Sequence, residues 1–202
     1  MYLVSLSLII IISLFLSNLV EMSSSLNNSS CKIPKLIAFD LDGTIWSPDM
    51  YQLWGGGAPF TVIDKSHLKD VSGTIVRLLG ISSDVLMELK THPKWKDTKV
   101  AWVSCTDEPS WANDCLHKFQ VQDGRSLNQL VDSIQIYKSN KQTHFKNLKK
   151  EYPDIDFEEM LFFDNEGGNI RDVSQLKVKC VYCPNGVDES AWNTGMKLFE
   201  KE

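Results

Sequence analysis

Short, mostly apolar runs alternate with amphipathic stretches in the chain after residue 34. Four of these runs have the length of a strand: 35–40, 100–104, 160–164 and 178–183. A strand that is covered on both faces needs a continuous apolar run, whereas a strand with one solvated face alternates apolar and polar residues. The runs therefore predict a sheet that is buried between two layers of helices.

The amphipathic stretches between and after these runs predict helices. Their expected bounds are 84–90, 107–119, 139–150 and 189–200. Ser82 and Ser83 are residues of the kind that cap a helix start, and Pro109 suits a first turn. Lys149 and Lys150 suit a last turn, where the helix dipole is negative. Strands that alternate with helices indicate an α/β fold with a three-layer, Rossmann-like parallel sheet.

Residues 47–81 interrupt this alternation. They contain Pro48, Pro59 and the run Gly55–Gly57, together with a short β-prone piece at 60–63. Glycine and proline mark turns and loops more often than the interior of helices. We predict a small hairpin-like insertion after the first strand. It is too short for a second domain, so we expect no large cap domain.

The first 34 residues differ from the rest of the chain. Residues 1–21 are apolar and carry no charge before Glu21, which is typical of a signal peptide or a membrane anchor. They lack the basic residues of a signal peptide, so an extended gene model with Met22 as the working start is the alternative. Residues 22–34 are rich in serine and asparagine and predict a polar linker. Residues 35–202 fit one catalytic domain.

Composition and charge limit the partners of the chain. With 43% hydrophobic and 23% charged residues it has the composition of an ordinary globular protein. Its net charge of -5 argues against a nucleic-acid partner. The five cysteines are odd in number and mostly lie in predicted strands or helices, which favours free thiols in a reducing compartment. We therefore expect a cytoplasmic protein. The alternative is the secretory pathway or a membrane, reached through residues 1–21 if these are retained.

Polar side chains end three of the predicted strands: Asp40, Ser104 and Asp164. In an open parallel sheet, ligands bind outside the carboxyl ends of the strands. Three side chains from distant parts of the sequence would therefore meet in one place. We expect the active site there.

The motif Asp-Leu-Asp-Gly-Thr at residues 40–44 carries two carboxylates directly after a predicted strand. One of these carboxylates can attack phosphorus and bind a cation, and the other can protonate the leaving oxygen and later deprotonate water. Gly43 permits the tight turn that follows them. Because the two carboxylates are close, we expect Asp40 to raise the pKa of Asp42.

With these motifs the chain resembles the haloacid dehalogenase (HAD) superfamily, whose first motif is Asp-x-Asp-x-Thr or Asp-x-Asp-x-Val. Within it, the chain is similar to the eukaryotic magnesium-dependent phosphatases, which are described as protein-tyrosine-phosphatase-like and as active on sugar phosphates. The likeness covers about residues 35–185 and rests on three segments: 39–46, 141–145 and 162–173. The resemblance implies a phosphatase without a large cap domain.

The resemblance also implies a role for each motif residue. Asp40 would form an aspartyl-phosphate, and Asp42 would act as general acid and base. Ser104 and Lys141 would bind the phosphoryl group. Mg²⁺ would be held by Asp40, Asp164 and the backbone carbonyl of Asp42, with waters completing its shell. The substrate would be a phosphorylated small molecule such as a sugar phosphate, or phosphotyrosine on a protein.

Two positions depart from the pattern of that family. The family usually has an arginine that helps to bind substrate after the second-motif serine, and this chain has Cys105 there. The fourth motif usually has two acids, and here it is Asp164-Asn165. We expect altered substrate affinity from the first change and reduced, not abolished, metal affinity from the second. Trp54, beside three glycines, is a candidate for lining the substrate entrance.

Other functions fit parts of the pattern. A phosphomutase or a dehalogenase would use the same nucleophile, but a mutase needs a sizeable cap and a dehalogenase does not need Asp42. A catalytically weakened binding protein on the same scaffold is supported by Cys105 and Asn165. The intact Asp40 and Lys141 argue against it.

Overall fold

The computed structural model describes residues 32–200. The predicted hydrophobic segment 1–21 and nearly all of the predicted linker 22–34 lie outside the described residues, so the proposed division of the chain stays a prediction. Within residues 32–200, no helix is long and apolar enough to cross a bilayer.

Between residues 32 and 200 the chain forms nine strands and five α-helices. The strands are β1 (Leu36–Phe39), β2 (Trp46–Ser47), β3 (Thr61–Val62), β4 (His67–Lys69), β5 (Ile75–Leu78), β6 (Lys99–Ser104), β7 (Ser133–Ile136), β8 (Met160–Asp164) and β9 (Lys179–Tyr182). The helices are α1 (Ser82–Thr91), α2 (Pro109–Lys118), α3 (Lys141–Glu151), α4 (Gly167–Ser174) and α5 (Glu189–Glu200).

Five parallel strands form the central sheet in the order β7-β6-β1-β8-β9. β1 lies in the middle and is hydrogen-bonded to β6 on one side and to β8 on the other. All four of its side chains are buried, as a continuous apolar run predicts. The predicted α/β fold with a parallel sheet is confirmed. The strands that lead to Asp40, Ser104 and Asp164 are neighbours in this sheet.

A hydrophobic core covers each face of the sheet. On one face the sheet packs against α1, α2 and α5, and the rings of Phe39 and Phe163 stack at 5.2 Å between centroids. Trp192 of α5 stacks on Phe163 at 5.8 Å. On the other face Phe145 of α3 meets Phe162 edge to face at 5.0 Å. The sheet between two helical layers gives the three layers that the sequence predicted.

The insertion after β1 is larger than the predicted hairpin. Strands β2, β5, β4 and β3 form a four-stranded antiparallel sheet in that order. Leu68 and Val76, which are paired across β4 and β5, turn inward and are fully buried. The strands are two to four residues long, too short for a clear alternation of apolar and polar residues. This sheet is still far smaller than a cap domain.

The structure corrects three local predictions. Strand β7 was not predicted because two of its four residues are polar, and α4 was missed because Gly167 and Gly168 begin it. Helix α1 begins at Ser82 and not at residue 84. The Ser82 hydroxyl donates to the carbonyl oxygen of Leu79 at 2.7 Å and does not cap the helix.

Candidate active site

A cavity of about 150 Å³ opens at the carboxyl ends of β1, β6 and β8. Its lining residues are Asp40, Asp42, Asp49, Tyr51, Ser104, Cys105, Lys141, Asn165, Glu166 and Asn169. Of the predicted catalytic, phosphate-binding and metal-binding residues, Asp164 alone does not line the cavity, and its Oδ2 lies 3.2 Å from Lys141 Nζ. A larger cavity of about 390 Å³ lies between β9 and α5 and contains none of the predicted site residues.

Asp40 follows β1 and is fixed by three neighbours. Its N–H donates to the Phe163 carbonyl oxygen at 2.9 Å, which continues the ladder between β1 and β8. The Lys141 ammonium donates to Oδ1, and the Thr44 hydroxyl lies 3.3 Å from Oδ2. Burial raises the pKa of Asp40, and the charge of Lys141 opposes this rise. The Asp40 carboxylate is therefore held in one orientation at the floor of the cavity.

Lys141 is the first residue of α3 and is only 2% exposed. Besides Asp40, its ammonium contacts the Val103 carbonyl oxygen at 2.7 Å and Asp164 Oδ2 at 3.2 Å. Burial alone would lower the pKa of Lys141, but Asp40 and Asp164 together raise it. The ammonium thus stays charged between the two carboxylates.

Asp42 is anchored to the start of the insertion. The indole Nε1–H of Trp46 donates to Oδ1 at 2.7 Å, and the N–H of Met50 donates to Oδ2 at 3.1 Å. Burial and then the charge of Asp40 raise the pKa of Asp42 to about 7. The expected direction is correct, but burial contributes more than Asp40 does. A carboxyl group with this pKa can both give and take a proton near neutral pH.

Asp164 ends β8 and is fully buried. Oδ1 accepts the N–H of Glu166 at 2.7 Å, and Oδ2 accepts Asn169 Nδ2–H at 3.0 Å. Burial, followed by the charge of Asp40, raises the pKa of Asp164 to about 6, while Lys141 opposes this. These contacts orient the Asp164 carboxylate towards the Lys141 ammonium, which contacts Asp40 as well.

The donor set fits the predicted Mg²⁺. Asp40 and Asp164 both contact the Lys141 ammonium, so one small cation can reach both carboxylates. Among residues 32–200 no group of three or more His, Cys, Asp or Glu side chains forms a metal site. Mg²⁺ does not need one, because it binds through one or two carboxylates and keeps waters and phosphate oxygens as its other ligands. The backbone carbonyl of Asp42 is the third ligand that the resemblance implies.

Thr44 and Gly43 fix the loop that carries the two aspartates. The N–H of Asn165 donates to Thr44 Oγ1 at 3.0 Å, and this hydroxyl lies 3.3 Å from both Asp40 Oδ2 and Asn165 Oδ1. Gly43 has φ +70°, and a Cβ there would lie 2.2 Å from Asn165 Nδ2. Thr44 was not assigned a role from the sequence, although its place at the end of the motif was a usable signal.

Ser104 and Cys105 face the cavity from the end of β6. Ser104 is 2% exposed, lines the cavity and has no hydrogen bond from its hydroxyl to any residue between 32 and 200. That hydroxyl is free to bind a phosphoryl oxygen. Cys105 is exposed and neutral where the family usually has arginine. Lys141 is therefore the sole cationic side chain that lines this cavity in the described part of the chain.

Tyr51, not Trp54, stands at the opening of the cavity. Trp54 is 86% exposed and does not line it, so the expectation for this residue was wrong. Tyr51 belongs to a one-turn 3-10 helix, Met50–Gln52, whose first N–H is bound by Asp42. Asp49, Glu166 and Asn169 were also missed. Proximity to the first and fourth motifs was the signal that could have found them.

The arrangement of Asp40, Asp42 and Lys141 on this sheet places the chain in the HAD class of hydrolases. The phosphatase-domain structure of a Bacteroides fragilis protein complexed with Mg matches it with a TM-score of 0.55 and 18% identity, over 83% of this chain and 41% of that one. A HAD family enzyme of Bacteroides thetaiotaomicron, in complex with magnesium and inorganic phosphate, matches with a TM-score of 0.52 and 13% identity, over 79% and 98%. At these identities the likeness shows the fold alone.

Sequence comparison gives the family. The acid phosphatase family model matches residues 32–202, and the chain belongs to this family. A human protein named Magnesium-dependent phosphatase 1 is 32% identical over 173 residues, which are 84% of this chain and 89% of the human protein. A HAD-like hydrolase superfamily protein of Schizosaccharomyces pombe is 30% identical over 155 residues, 73% of this chain and 84% of that protein. The predicted relationship is confirmed, and the chain is a phosphatase.

Proposed function

We propose that this protein is a magnesium-dependent phosphomonoester hydrolase in which Asp40 forms an aspartyl-phosphate. The observation that carries the proposal is the contrast between two carboxyl groups after β1. The Asp40 carboxylate contacts the Lys141 ammonium, whose charge opposes the rise in pKa that burial causes, while Asp42 contacts two neutral N–H donors and its pKa is raised to about 7. Two neighbouring carboxyl groups with such different surroundings suit the roles of nucleophile and of acid. The name of the human relative supports the choice of magnesium.

The reaction has two halves. In the first, an Asp40 oxygen attacks phosphorus, the bond from phosphorus to the ester oxygen breaks, and Asp42 gives its proton to the leaving oxygen. In the second, the Asp42 carboxylate takes a proton from water, which attacks phosphorus, and the bond to Asp40 breaks. Lys141 and Ser104 offset the charge on the phosphoryl oxygens throughout. Mg²⁺, when bound, adds positive charge beside those oxygens.

The substrate is proposed to be a small phosphorylated molecule such as a sugar phosphate, or phosphotyrosine on a protein. The cavity is open, and Tyr51 at its edge is 67% exposed. The insertion is a four-stranded sheet that is too small to close over a bound ligand in the way a cap domain does. Both kinds of substrate can therefore present a phosphate to Asp40. A phosphomutase, which must keep water out, is less well supported by this open cavity.

Hydrolysis of para-nitrophenyl phosphate by the purified protein, with and without Mg²⁺, tests the proposal. We expect magnesium-dependent release of para-nitrophenol that is lost in Asp40→Asn. A folded wild-type protein without turnover at any Mg²⁺ concentration would contradict the proposal. That result would favour the catalytically weakened binding protein, with Cys105 and Asn165 as the first positions to revert.

We further propose a cytoplasmic location. Four cysteines of the described chain are free thiols: Cys105, Cys115, Cys180 and Cys183. Free thiols suit a reducing compartment. Imaging of the protein with a fluorescent tag at its carboxyl end would test this, and a reticular or cell-surface signal would contradict it.

A further inference from the structure

The charges that line the active-site cavity are unevenly distributed. Lys141 is the one cationic side chain among the lining residues of the described chain, and it is already bound between Asp40 and Asp164. Farther out, the carboxylates of Asp49 and Glu166 also line the cavity. The inner end of the cavity therefore has the one ammonium group that can bind a phosphoryl oxygen, whereas its outer end carries two carboxylates and no cationic side chain of the described residues.

Asp49, Tyr51 and Glu166 form this outer end, which we call the mouth. Asp49 is half-buried, while Tyr51 and Glu166 are exposed. Both carboxylates line the same cavity of about 150 Å³. Burial, followed by the charge of Glu166, raises the pKa of Asp49, while a hydrogen bond with Tyr51 opposes this. Neither carboxylate forms an ion pair with a residue between 32 and 200. Lys138, which precedes α3, does not line the cavity and pairs with Asp107 at 2.6 Å.

We propose that Asp49 and Glu166 select substrates by the charge of the leaving alcohol and favour phosphomonoesters of alcohols that carry an ammonium group. The inference rests on the proposed function, because it concerns the same cavity. With the phosphoryl group bound by Lys141 and Ser104 at the inner end, the rest of the substrate lies in the mouth. An ammonium group there meets two carboxylates and the aromatic ring of Tyr51, which also attracts cations. A carboxylate on the substrate is repelled by the same charges.

The mouth residues determine specificity and do not take part in proton transfer. Their effect should fall mainly on KM, because the charge of a remote substituent is the same in the bound substrate and in the transition state. Since Tyr51 and Glu166 are exposed, the discrimination should also weaken as ionic strength rises. A purely steric role of these residues would not weaken as ionic strength rises.

Three esters with two carbons each separate charge from size: phosphoethanolamine, ethyl phosphate and phosphoglycolate. We expect kcat/KM to be highest for phosphoethanolamine and lowest for phosphoglycolate. In the double variant Asp49→Asn/Glu166→Gln, the ratio of kcat/KM for phosphoethanolamine to kcat/KM for phosphoglycolate should fall by about tenfold or more. This is the effect expected when two partly exposed charges no longer attract the first ester and repel the second. Asparagine is as good a cap as aspartate, so Asp49→Asn keeps the start of the Met50–Gln52 turn.

Asp97→Asn is the matched control. It removes one carboxylate from an 88% exposed side chain near the amino end of β6, away from the cavity, and should leave the ratio unchanged. Equal kcat/KM for the three esters in the wild type, or an unchanged ratio in the double variant, would overturn the inference and leave the proposed function intact. If the folded protein hydrolyses no phosphomonoester at all, the proposed function fails and the inference fails with it.

Discussion

At the scale of single residues, the site depends on how differently two nearby carboxyl groups are held. Asp40 is bound by an ammonium group and a hydroxyl, whereas Asp42 is bound by the Trp46 indole and the Met50 amide. A charged neighbour favours the ionised form, and burial without one favours the protonated form. This difference is the basis for proposing the same chemical group as nucleophile at one position and as acid two residues later.

Replacing Asp42 by asparagine removes the acid and keeps one of its two hydrogen-bond acceptors, for the Trp46 indole or for the Met50 N–H. We expect Asp42→Asn to fold and to lose turnover of an alkyl phosphate by about 10²- to 10⁴-fold, the usual contribution of a general acid. The loss should be smaller for para-nitrophenyl phosphate, whose leaving group needs a proton less. Steady-state kinetics with both esters checks this. An equal loss for both, or near-normal turnover of the alkyl phosphate, would contradict the role of Asp42.

Because the pKa of Asp42 is raised, the stability of the metal-free protein should depend on pH. The pKa of Asp42 is about 7 in the folded protein against an ordinary value of 3.8, so between these values the folded protein keeps a proton that the unfolded chain has lost. Stability of the wild type therefore falls as pH rises through this window. The unfolding free energy of Asp42→Asn relative to wild type should rise by about 2 to 4 kcal/mol between about pH 4 and pH 7. Urea denaturation in EDTA measures this difference in unfolding free energy, and a difference that does not change with pH would contradict the prediction.

The residues of the site were predictable where chemistry is tied to a motif. Asp40 and Asp42 stand in a specific motif, and Lys141 follows in a recognisable segment. Tyr51 was not predictable, because its place at the cavity depends on the hydrogen bond from the Met50 amide to Asp42. A contact of one backbone amide leaves no pattern in the sequence, so the more conspicuous Trp54 was chosen.

At the scale of elements, the start of α3 is the segment that places the lysine. Asn140 caps the helix, with its Oδ1 accepting the Thr143 N–H at 2.8 Å. The ring of His144 lies between two carbonyl oxygens, Asn140 at 3.0 Å from Nδ1 and Tyr137 at 3.1 Å from Nε2, and stacks on the Tyr137 ring at 4.2 Å. His144, in the first turn of α3, thus connects this turn to the segment before the helix, close in sequence to Lys141.

Loss of the contacts of His144 should lower the stability of the fold and make the position of Lys141 less well defined. His144→Phe keeps a ring against Tyr137 but leaves a partly buried carbonyl without its donor, so we expect a loss of about 1 to 2 kcal/mol of unfolding free energy. We also expect kcat to fall, because the helix turn that carries Lys141 loses one of its supports. Urea denaturation and steady-state kinetics measure the two effects. His117→Phe, on the exposed side of α2, is the control and should change stability by less than about 0.5 kcal/mol. Equal effects of both substitutions would contradict this role of His144.

Three of the four strands that the sequence predicted, β1, β6 and β8, are buried on both faces, and the fourth, β9, is an edge strand. β1 and β8 have continuous apolar runs and were found within a residue of their bounds. The edge strand β7 and the small antiparallel sheet are half-exposed, and their pairing depends on partners distant in the sequence. Local pattern carries little information about such pairing.

At the scale of the whole molecule, the layers of the fold bring an excess of negative charge to one edge of the sheet. Asp40, Asp42 and Asp164 come from the ends of central strands, and Lys141 balances one of these charges. Burial of like charges is costly, and a bound cation offsets that cost. The general plan of three layers with a site at the strand ends was predictable from the alternation of elements. The size of the mouth and its charge were not, because they depend on how the insertion that carries Asp49 and Tyr51 folds beside Glu166, which follows β8.

Mg²⁺ should therefore stabilise the folded protein as a whole. At about 100 times its Kd, a ligand specific for the folded state adds about 2.7 kcal/mol, so the Tm should rise by several degrees. Asp164→Asn should remove most of this rise, whereas Asp97→Asn should retain it. Thermal denaturation with EDTA or Mg²⁺ measures the effect. Equal rises in all three proteins would show that the ion binds elsewhere.

The central claim is that Asp40 carries the phosphoryl group, and acid quenching followed by peptide mass spectrometry tests it most directly. The wild type is mixed with Mg²⁺ and para-nitrophenyl phosphate, quenched during turnover and digested under acidic conditions that preserve acyl phosphates. We predict a phosphoryl group on the peptide that contains Asp40, dependent on Mg²⁺ and absent from Asp40→Asn. Phosphoryl transfer to another residue, or undiminished turnover by Asp40→Asn, would contradict the claim.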